Sequence, residues 1–177
     1  MPIHIIPPRF PRPGAPPRPL DAARLEALAL RYVGRYATTR AKLAAYLRRK
    51  LDERGWEDGS APDPDSLVAR VARLGYVDDR AFAAARTGAL RRSGYGGRRI
   101  GAALAAAGVD EADRPSSADE EEALAVALVL ARRKRIGPFA AAPHDRAGRE
   151  RAIGILVRGG HDPALARRIA AMPPERP

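Results

Sequence analysis

Cysteine, asparagine and glutamine are absent from this sequence of 177 residues, and aromatic residues make up only 5% of it. Without cysteine the chain can form neither a disulfide bond nor a thiolate metal site. Without asparagine and glutamine it lacks the side chains that read adenine through paired hydrogen bonds. Because alanine supplies much of the apolar content, we expect a core of thin helices that pack closely together.

Long apolar segments are also missing. The longest run, residues 123–131, has nine residues, about half of the ~18–20 that a membrane-spanning helix requires. The isoleucines near the N-terminus are followed at once by prolines, so they do not form the apolar segment of a signal peptide. We therefore expect a cytoplasmic protein that makes no membrane contact.

Residues that carry chemistry are sparse. Three histidines, His4, His144 and His161, lie far apart in the sequence and lack the spacing of zinc ligands. The adjacent Asp78 and Asp79 would point about 100° apart on a helix, where one caps the N-terminus and the other favours its positive end. No serine, cysteine or histidine has the neighbours that a nucleophile needs. We expect no metal, no cofactor and no enzymatic activity.

Residues 94–99 form a glycine-rich, basic segment that interrupts the helical pattern. The segment lacks the GxxxxGK[ST] order of a phosphate-binding loop, and no strand precedes it. We interpret residues 93–97 as a flexible break whose glycines would let the backbone of a partner come close.

Basic residues outnumber acidic residues by 32 to 21, which gives a formal charge of +11 at pH 7. Such an excess indicates a polyanionic partner, most simply nucleic acid. The preference for 29 arginines over three lysines is typical of a GC-rich genome. That bias explains the choice of arginine but not the excess of positive charge.

The positive charge is concentrated in short clusters that recur along the chain. The residues that we expect to contact DNA or a protein–DNA filament are Arg48, Arg49, Arg91, Arg92, Arg98, Arg99, Arg132, Arg133, Lys134 and Arg135. Several of them lie where a helix is expected to end, and there a cation also stabilises the helix dipole. Their recurrence favours a continuous basic track. Tyr46 and Tyr95 lie next to two of the clusters and are candidates for stacking on bases, although Tyr46 would equally suit a place in the core.

One pattern occurs four times: an apolar residue, three further residues, a glycine and then an anchoring residue. The glycines with their anchors are Gly55–Trp56, Gly75–Tyr76, Gly108–Val109 and Gly160–His161. Glycine directly after an apolar helix is typical of a left-handed helix end. Three of the four pairs are followed by an aspartate that would cap the next helix. The pattern predicts an array of small helical modules.

We therefore predict an all-α protein without a sheet, an elongated array of three tandem three-helix modules. The predicted parts are a disordered proline- and arginine-rich tail at 1–19, the first module at 20–75, the second at 76–115, the third at 116–172 and a frayed end at 173–177. Pro115 limits the last helix of the second module to one turn. Ser117 and Glu120 would form a capping box at the start of the third module. We expect Tyr76 and Phe82 to be buried where the first two modules meet.

Residues 76–83, Tyr-Val-Asp-Asp-Arg-Ala-Phe-Ala, resemble the L-D-D-x-x-F-A motif of the RecX family, the regulators of the RecA recombinase. Residues 35–56 resemble the start and end of that family's first repeat. Residues 94–109 and 156–161 resemble elements of its second and third repeats. The third repeat departs from the family pattern, because His161 stands where the family has an aromatic residue. The resemblance covers about residues 21–171.

The resemblance implies three tandem three-helix modules and a partner in RecA and its filament on DNA. It further implies inhibition of the recombinase without any chemistry of the regulator's own. We expect a monomer that contacts the backbone of single- or double-stranded DNA. The alternative is a stand-alone basic helical protein of the helix-turn-helix kind, which would need base-reading residues that the chain lacks. A nuclease ranks third, because the chain lacks a cluster of carboxylates to hold its metal ions.

Overall fold

The computed structural model describes residues 18–174, so most of the predicted N-terminal tail and the last three residues lie outside it. The eight α-helices of the described residues are α1 Ala22–Val33, α2 Arg40–Arg54, α3 Pro64–Arg73, α4 Asp79–Arg92, α5 Gly97–Ala106, α6 Glu120–Lys134, α7 Arg146–Arg158 and α8 Pro163–Ala170. Single 3₁₀ turns occur at Glu111–Asp113 and Gly137–Phe139. Between residues 18 and 174 the chain forms no strand, and an isolated bridge pairs Leu20 with Trp56. The all-α prediction is confirmed.

Aspartate and threonine side chains begin seven of these helices. Their N-cap residues, each accepting a hydrogen bond from a first-turn amide, are Asp21, Thr39, Asp63, Asp78, Asp119, Asp145 and Asp162. The capping box predicted at Ser117 is wrong by two residues. Asp119 occupies the cap instead and accepts from the amide of Glu122 at 2.8 Å, where its negative charge also favours the positive end of the helix dipole.

The predicted glycine stops are confirmed at all four positions. Gly55, Gly75, Gly108 and Gly160 have φ between 70° and 93°, the left-handed region that glycine enters without steric cost. After three of them, the amide of the next residue bonds to the carbonyl five residues earlier, as in His161 to Leu156 at 3.2 Å. These bonds satisfy carbonyls that the end of a helix would otherwise leave without partners.

Buried apolar side chains form three separate clusters along the chain. The first packs α1, α2 and α3 around Leu43, Leu47 and Val71. The second is smaller and lies around Ile100, Leu104 and Val109. The third packs α6, α7 and α8 around Leu156 and Ile169. Below, "first module" denotes α1–α3, "second module" α4, α5 and the 3₁₀ turn at Glu111–Asp113, and "third module" α6–α8; their exact boundaries stay a prediction.

Tyr76 is not buried, contrary to the sequence-based expectation. Its side chain is 59% exposed, whereas the neighbouring Val77 is buried in the first cluster. Successive side chains of an extended segment point to opposite sides, and the segment between α3 and α4 turns Val77 inward and Tyr76 outward. Phe82 is partly buried against the second cluster, with the Lys42 ammonium 5.1 Å from the ring centroid. Phe82 therefore lies where the first two modules meet, but it does not fill a closed core.

Candidate nucleic-acid interface

A buried set of polar contacts joins the first module to the second, and we call it the first joint. The Thr39 hydroxyl donates to the carbonyl of Ala107 at 2.6 Å, and both partners are buried. The Asp79 carboxylate accepts from the backbone amide of Arg40 at 2.9 Å. Asp113 extends the joint by pairing with the Arg40 guanidinium at 3.2 Å. Residues from α2, α4 and the turn after α5 are thus held in one arrangement.

Asp79 has a larger role than the sequence suggested. It lies in the first turn of α4, as expected, and Asp78 is the N-cap that accepts from the amide of Ala81. The Asp79 side chain is only 4% exposed, however, and it reaches the N-terminus of α2 rather than serving its own helix alone. A buried carboxylate needs hydrogen-bond partners and an opposite charge, and Arg40 supplies both.

A second joint connects the second module to the third through closely opposed backbones. The amide of Gly96 donates to the carbonyl of Gly159 at 2.9 Å, and the amide of Arg98 donates to that of Gly160 at 3.1 Å. A Cβ on Gly96 would lie 2.5 Å from the Gly160 oxygen, and a Cβ on Gly94 would lie 2.6 Å from the Leu130 nitrogen. Such distances leave no room for a side chain at either glycine.

This geometry corrects the interpretation of residues 93–97 as a flexible break open to a partner. Gly94 and Gly96 are buried, and the backbone that approaches them belongs to the third module of the same chain. The segment is fixed by hydrogen bonds on both sides of Gly96. The glycines are therefore needed for packing between modules.

His161 is buried in the second joint, at the position where the family pattern has an aromatic residue. Its Nε2 lies 2.9 Å from the carbonyl oxygen of Gly94. A carbonyl only accepts hydrogen bonds, so Nε2 carries the proton in the neutral ring. Burial lowers the pKa of the His161 imidazole, and the bond to Gly94 offsets part of that effect. The histidine thus links the two modules as a neutral donor.

Four of the ten predicted contact residues are tied to other parts of the chain. Arg48 bonds to both oxygens of the Asp65 carboxylate, at 2.6 and 2.7 Å, and so links α2 to α3. Arg91 pairs with Glu122 between the second and third modules. Arg98 donates to the carbonyl of His161 at 3.0 Å, and Arg133 donates to that of Ser93. These four cations have structural partners, whatever else they bind.

Within residues 18–174, five others of the ten are exposed and have no carboxylate within salt-bridge distance. They are Arg92, Arg99, Arg132, Lys134 and Arg135. The bond from Arg133 to Ser93 brings the basic end of α6 beside the basic end of α4. Arg99 lies at the start of α5, with its guanidinium 4.2 Å from the Tyr95 ring centroid. We call these five residues the joint cations, because they lie at the ends of α4, α5 and α6 next to the second joint.

Arg49 stands apart from the joint cations. It lies on α2 in the first module, 3.6 Å from Glu53, and none of the described contacts connects it with the second joint. The structure thus brings together the basic clusters of the second and third modules but gives no contact between them and the cluster on α2. A continuous basic track over all three modules stays a prediction.

Sequence reasoning missed the residues that fix the joints. From the sequence, Asp79 has only a role in its own helix, Thr39 has none, and His161 is a departure from the family pattern. The available signals were weak: a Thr-Thr pair before a helix, and a second aspartate directly after a cap. Both patterns also occur at ordinary helix starts, so they do not reveal a contact with another module.

The described part of the chain offers neither a metal site nor a membrane span. Between residues 18 and 174 no three His, Cys, Asp or Glu side chains come together in a group that could hold a metal ion. No helix in that range combines the length and the apolar character needed to cross a bilayer.

The fold is that of an all-helical protein built from tandem three-helix repeats. It matches the crystal structure of RecX from Lactobacillus salivarius with a TM-score of 0.60 at 18% identity, over 83% of this chain and 92% of that one. The chain is also 34% identical over 166 residues to the regulatory protein RecX of Myxococcus xanthus, which covers 86% of this chain and 87% of that protein. Regulatory proteins RecX from two strains of Stenotrophomonas maltophilia, K279a and R551-3, are 34% and 33% identical over 133 residues. No protein-family model matches the chain.

The chain belongs to the RecX family of regulatory proteins. The relative from Myxococcus xanthus supports this over most of both sequences, and the structural match supports the fold. Members of this family are non-enzymatic modulators and inhibitors of the RecA recombinase. The family resemblance identified from residues 76–83 and the ordered repeats around them is confirmed.

Proposed function

We propose that this protein binds the RecA filament on DNA and that the joint cations supply the contact with the DNA phosphates. The observation that carries the proposal is the grouping of exposed cations without carboxylate partners where α4, α5 and α6 meet. Phosphate contacts need positive charge at a fixed spacing rather than base-reading side chains. The composition fits this mode, because the chain has a charge of +11 and neither asparagine nor glutamine.

A regulator of this kind needs no chemistry of its own. It changes a filament by binding one of its states more tightly than another, and the difference in affinity sets the size of the effect. The two joints support this mode of action, since they hold the three modules in one arrangement through buried hydrogen bonds. In a fixed arrangement, contacts on different modules can form at the same time. Binding then costs little conformational entropy, because the modules are already held in place. We further propose that the protein acts as a monomer in the cytoplasm, where its filament partner assembles.

Co-sedimentation with RecA tests this proposal. RecA is assembled on single-stranded DNA with a non-hydrolysable nucleotide analogue, and pelleting of the protein is compared with DNA alone and with RecA alone. We expect pelleting with the complete filament to exceed the sum of the two controls. The logarithm of the filament affinity should also fall linearly with the logarithm of the salt concentration. The slope of that line should be about −0.7 to −0.9 for each phosphate that the protein neutralises.

The same experiment separates this function from its alternative. Equal binding to DNA with and without RecA would support a stand-alone DNA-binding protein. Binding that does not change between low and moderate salt would exclude phosphate contacts from the account.

A further inference from the structure

Three tyrosines and three arginines form a cleft on the first module, far in sequence from the joint cations. The cleft has a volume of about 380 Å³ and is lined by Arg31, Tyr32, Arg35, Tyr36, Tyr46 and Arg49. No carboxylate belongs to this lining as the structure describes it. The lining of this cleft therefore consists of aromatic rings and cations alone.

Two of the tyrosines support the third. Tyr32 and Tyr46 are partly buried against the first cluster, and their rings stack with centroids 4.2 Å apart and planes inclined by 21°. Tyr36 follows the end of α1, and its ring lies 5.2 Å from that of Tyr32. The side chain of Tyr36 remains 51% exposed. An exposed ring, tilted by 52° relative to that of Tyr32, therefore lies beside a partly buried aromatic pair.

The backbone beneath Tyr36 is fixed. Its amide donates to the carbonyl of Tyr32 at 3.0 Å, and the amide of Arg35 donates to the same oxygen at 3.1 Å. Only the side-chain torsions of Tyr36 remain to be set when a ligand binds. Little conformational entropy is then lost on binding, which favours affinity.

The charge around the rings is positive. The Arg35 guanidinium lies 5.8 Å from the Tyr36 ring centroid, and the Arg49 guanidinium lies 5.6 Å from that of Tyr46. Glu53 is the nearby acid; its hydrogen bond with Lys50 holds the pKa of this carboxyl below its usual range, so it stays ionised. Glu53 pairs with both Arg49 and Lys50, so its single negative charge offsets only one of these two positive charges. Arg31 and Arg35 have no acidic partner among the described residues.

We propose that this cleft binds an unpaired base of single-stranded DNA, with the base stacked on Tyr36 and the flanking phosphates bound by Arg31 and Arg35. Stacking on an exposed tyrosine requires a base with a free face, which a duplex offers only at its ends. The arginines would attract the phosphates of the DNA backbone. Proteins that bind single strands commonly combine such positive charge with aromatic stacking. This site is separate from the joint cations and does not depend on RecA.

Fluorescence anisotropy with a labelled oligothymidylate, in the absence of RecA, tests the site. Tyr36→Ala should weaken binding by about 5-fold to 100-fold, as expected for the loss of one stacked base. Tyr36→Phe should bind like the parent, because the aromatic face is kept. The matched control is Tyr76→Ala, which removes a tyrosine of similar exposure, 59%, that lies outside the cleft.

Two further probes identify the ligand. With an abasic strand of equal length, the parent and Tyr36→Ala should bind equally, since only the phosphates remain. An oligouridylate shows whether the site distinguishes DNA from RNA; tighter binding of RNA than DNA would overturn the assignment to DNA.

Equal oligothymidylate binding by folded Tyr36→Ala and the parent, or an equal loss in Tyr76→Ala, would overturn the stacking site. Reversing Arg92 and Arg99 should leave the Tyr36 effect intact, so this result is separate from that of the proposed function.

Discussion

The hydroxyl of Thr39 donates a hydrogen bond of 2.6 Å to the carbonyl of Ala107, 68 residues further along the chain. The hydroxyl oxygen of Thr39 also accepts a hydrogen bond from the amide of Lys42 at 3.2 Å. One side chain therefore caps α2 and also fixes the second module against it. Both groups are buried, and water could not replace the bond without opening the joint. One threonine therefore both caps α2 and helps to fix the arrangement of the first two modules.

Replacing Thr39 by valine should destabilise the protein by ~1–3 kcal/mol, because the variant loses the cap and leaves the Ala107 carbonyl buried without a partner. Thr39→Ser, which keeps the hydroxyl, should recover most of that loss. The neighbouring Thr38 provides a matched control, since its buried hydroxyl has no hydrogen-bond partner in the described structure. Thr38→Val should be neutral or stabilising in urea denaturation, and equal losses at both positions would contradict the role of Thr39.

Asp79→Ala should cost ~1–3 kcal/mol, because it removes a buried acceptor from the amide of Arg40 and leaves the Arg40 guanidinium with Asp113 alone. Asp110 serves as the comparison: it is exposed, precedes a single 3₁₀ turn and makes no side-chain cap hydrogen bond. Asp110→Ala should change the free energy of unfolding by less than ~0.5 kcal/mol. If Asp79→Ala melts like the parent, Asp79 has only the local role that the sequence suggested.

Gly96→Ala should destabilise the second joint, because the added methyl would lie 2.5 Å from the carbonyl oxygen of Gly160. Overpacking of this kind costs ~1–3 kcal/mol. The next residue is the control, since a Cβ on Gly97 meets nothing within 4 Å. Gly97→Ala should be neutral or stabilise the protein by up to ~1 kcal/mol, as expected at the first position of a helix. If Gly96→Ala and Gly97→Ala melt at the same temperature, the backbones at Gly96 and Gly160 are not in tight contact.

Stability should decrease on mild acidification because of His161. Its pKa is lowered by burial in the folded protein, so the unfolded chain binds the proton more readily. The stability linked to His161 is fully present above its unfolded pKa of about 6.5 and is lost as the pH falls toward the lower folded value. His161→Gln keeps a donor for the Gly94 carbonyl but does not titrate in this range. Between pH 7 and pH 5 the free energy of unfolding should fall more steeply for the parent than for this variant; parallel curves would contradict the buried neutral imidazole.

The helix ends could be predicted from the sequence because they depend on neighbouring residues. Gly75 stops α3 through its own backbone conformation, and Asp63 and Asp162 cap helices that begin one residue later. The chemistry of such a cap lies within four residues, so periodicity and spacing contain the required information.

The joints could not be predicted in the same way. The contact between Gly96 and Gly160 depends on how the second and third modules pack, and no local pattern specifies that packing. The same limit explains why the sequence wrongly predicts that Tyr76, rather than Val77, is buried. Which side chains of the segment between α3 and α4 point inward depends on how the modules at its two ends pack. The charges of the basic clusters could be read from the sequence, but their partners could not: Arg133 and Arg98 bind carbonyls of other modules.

The proposed contact between the joint cations and the filament can be tested by charge reversal, with inhibition of RecA-driven ATP hydrolysis as the readout. Arg92 and Arg99 are exposed and have no carboxylate partner in the described structure, so Arg92→Glu with Arg99→Glu should leave folding intact. The matched control reverses Arg151 and Arg167, two exposed arginines on α7 and α8. We expect the first pair of reversals to abolish inhibition of the ATPase and the second pair to keep most of it. Full inhibition by a folded Arg92→Glu, Arg99→Glu variant would show that the contact with the filament lies elsewhere on the protein.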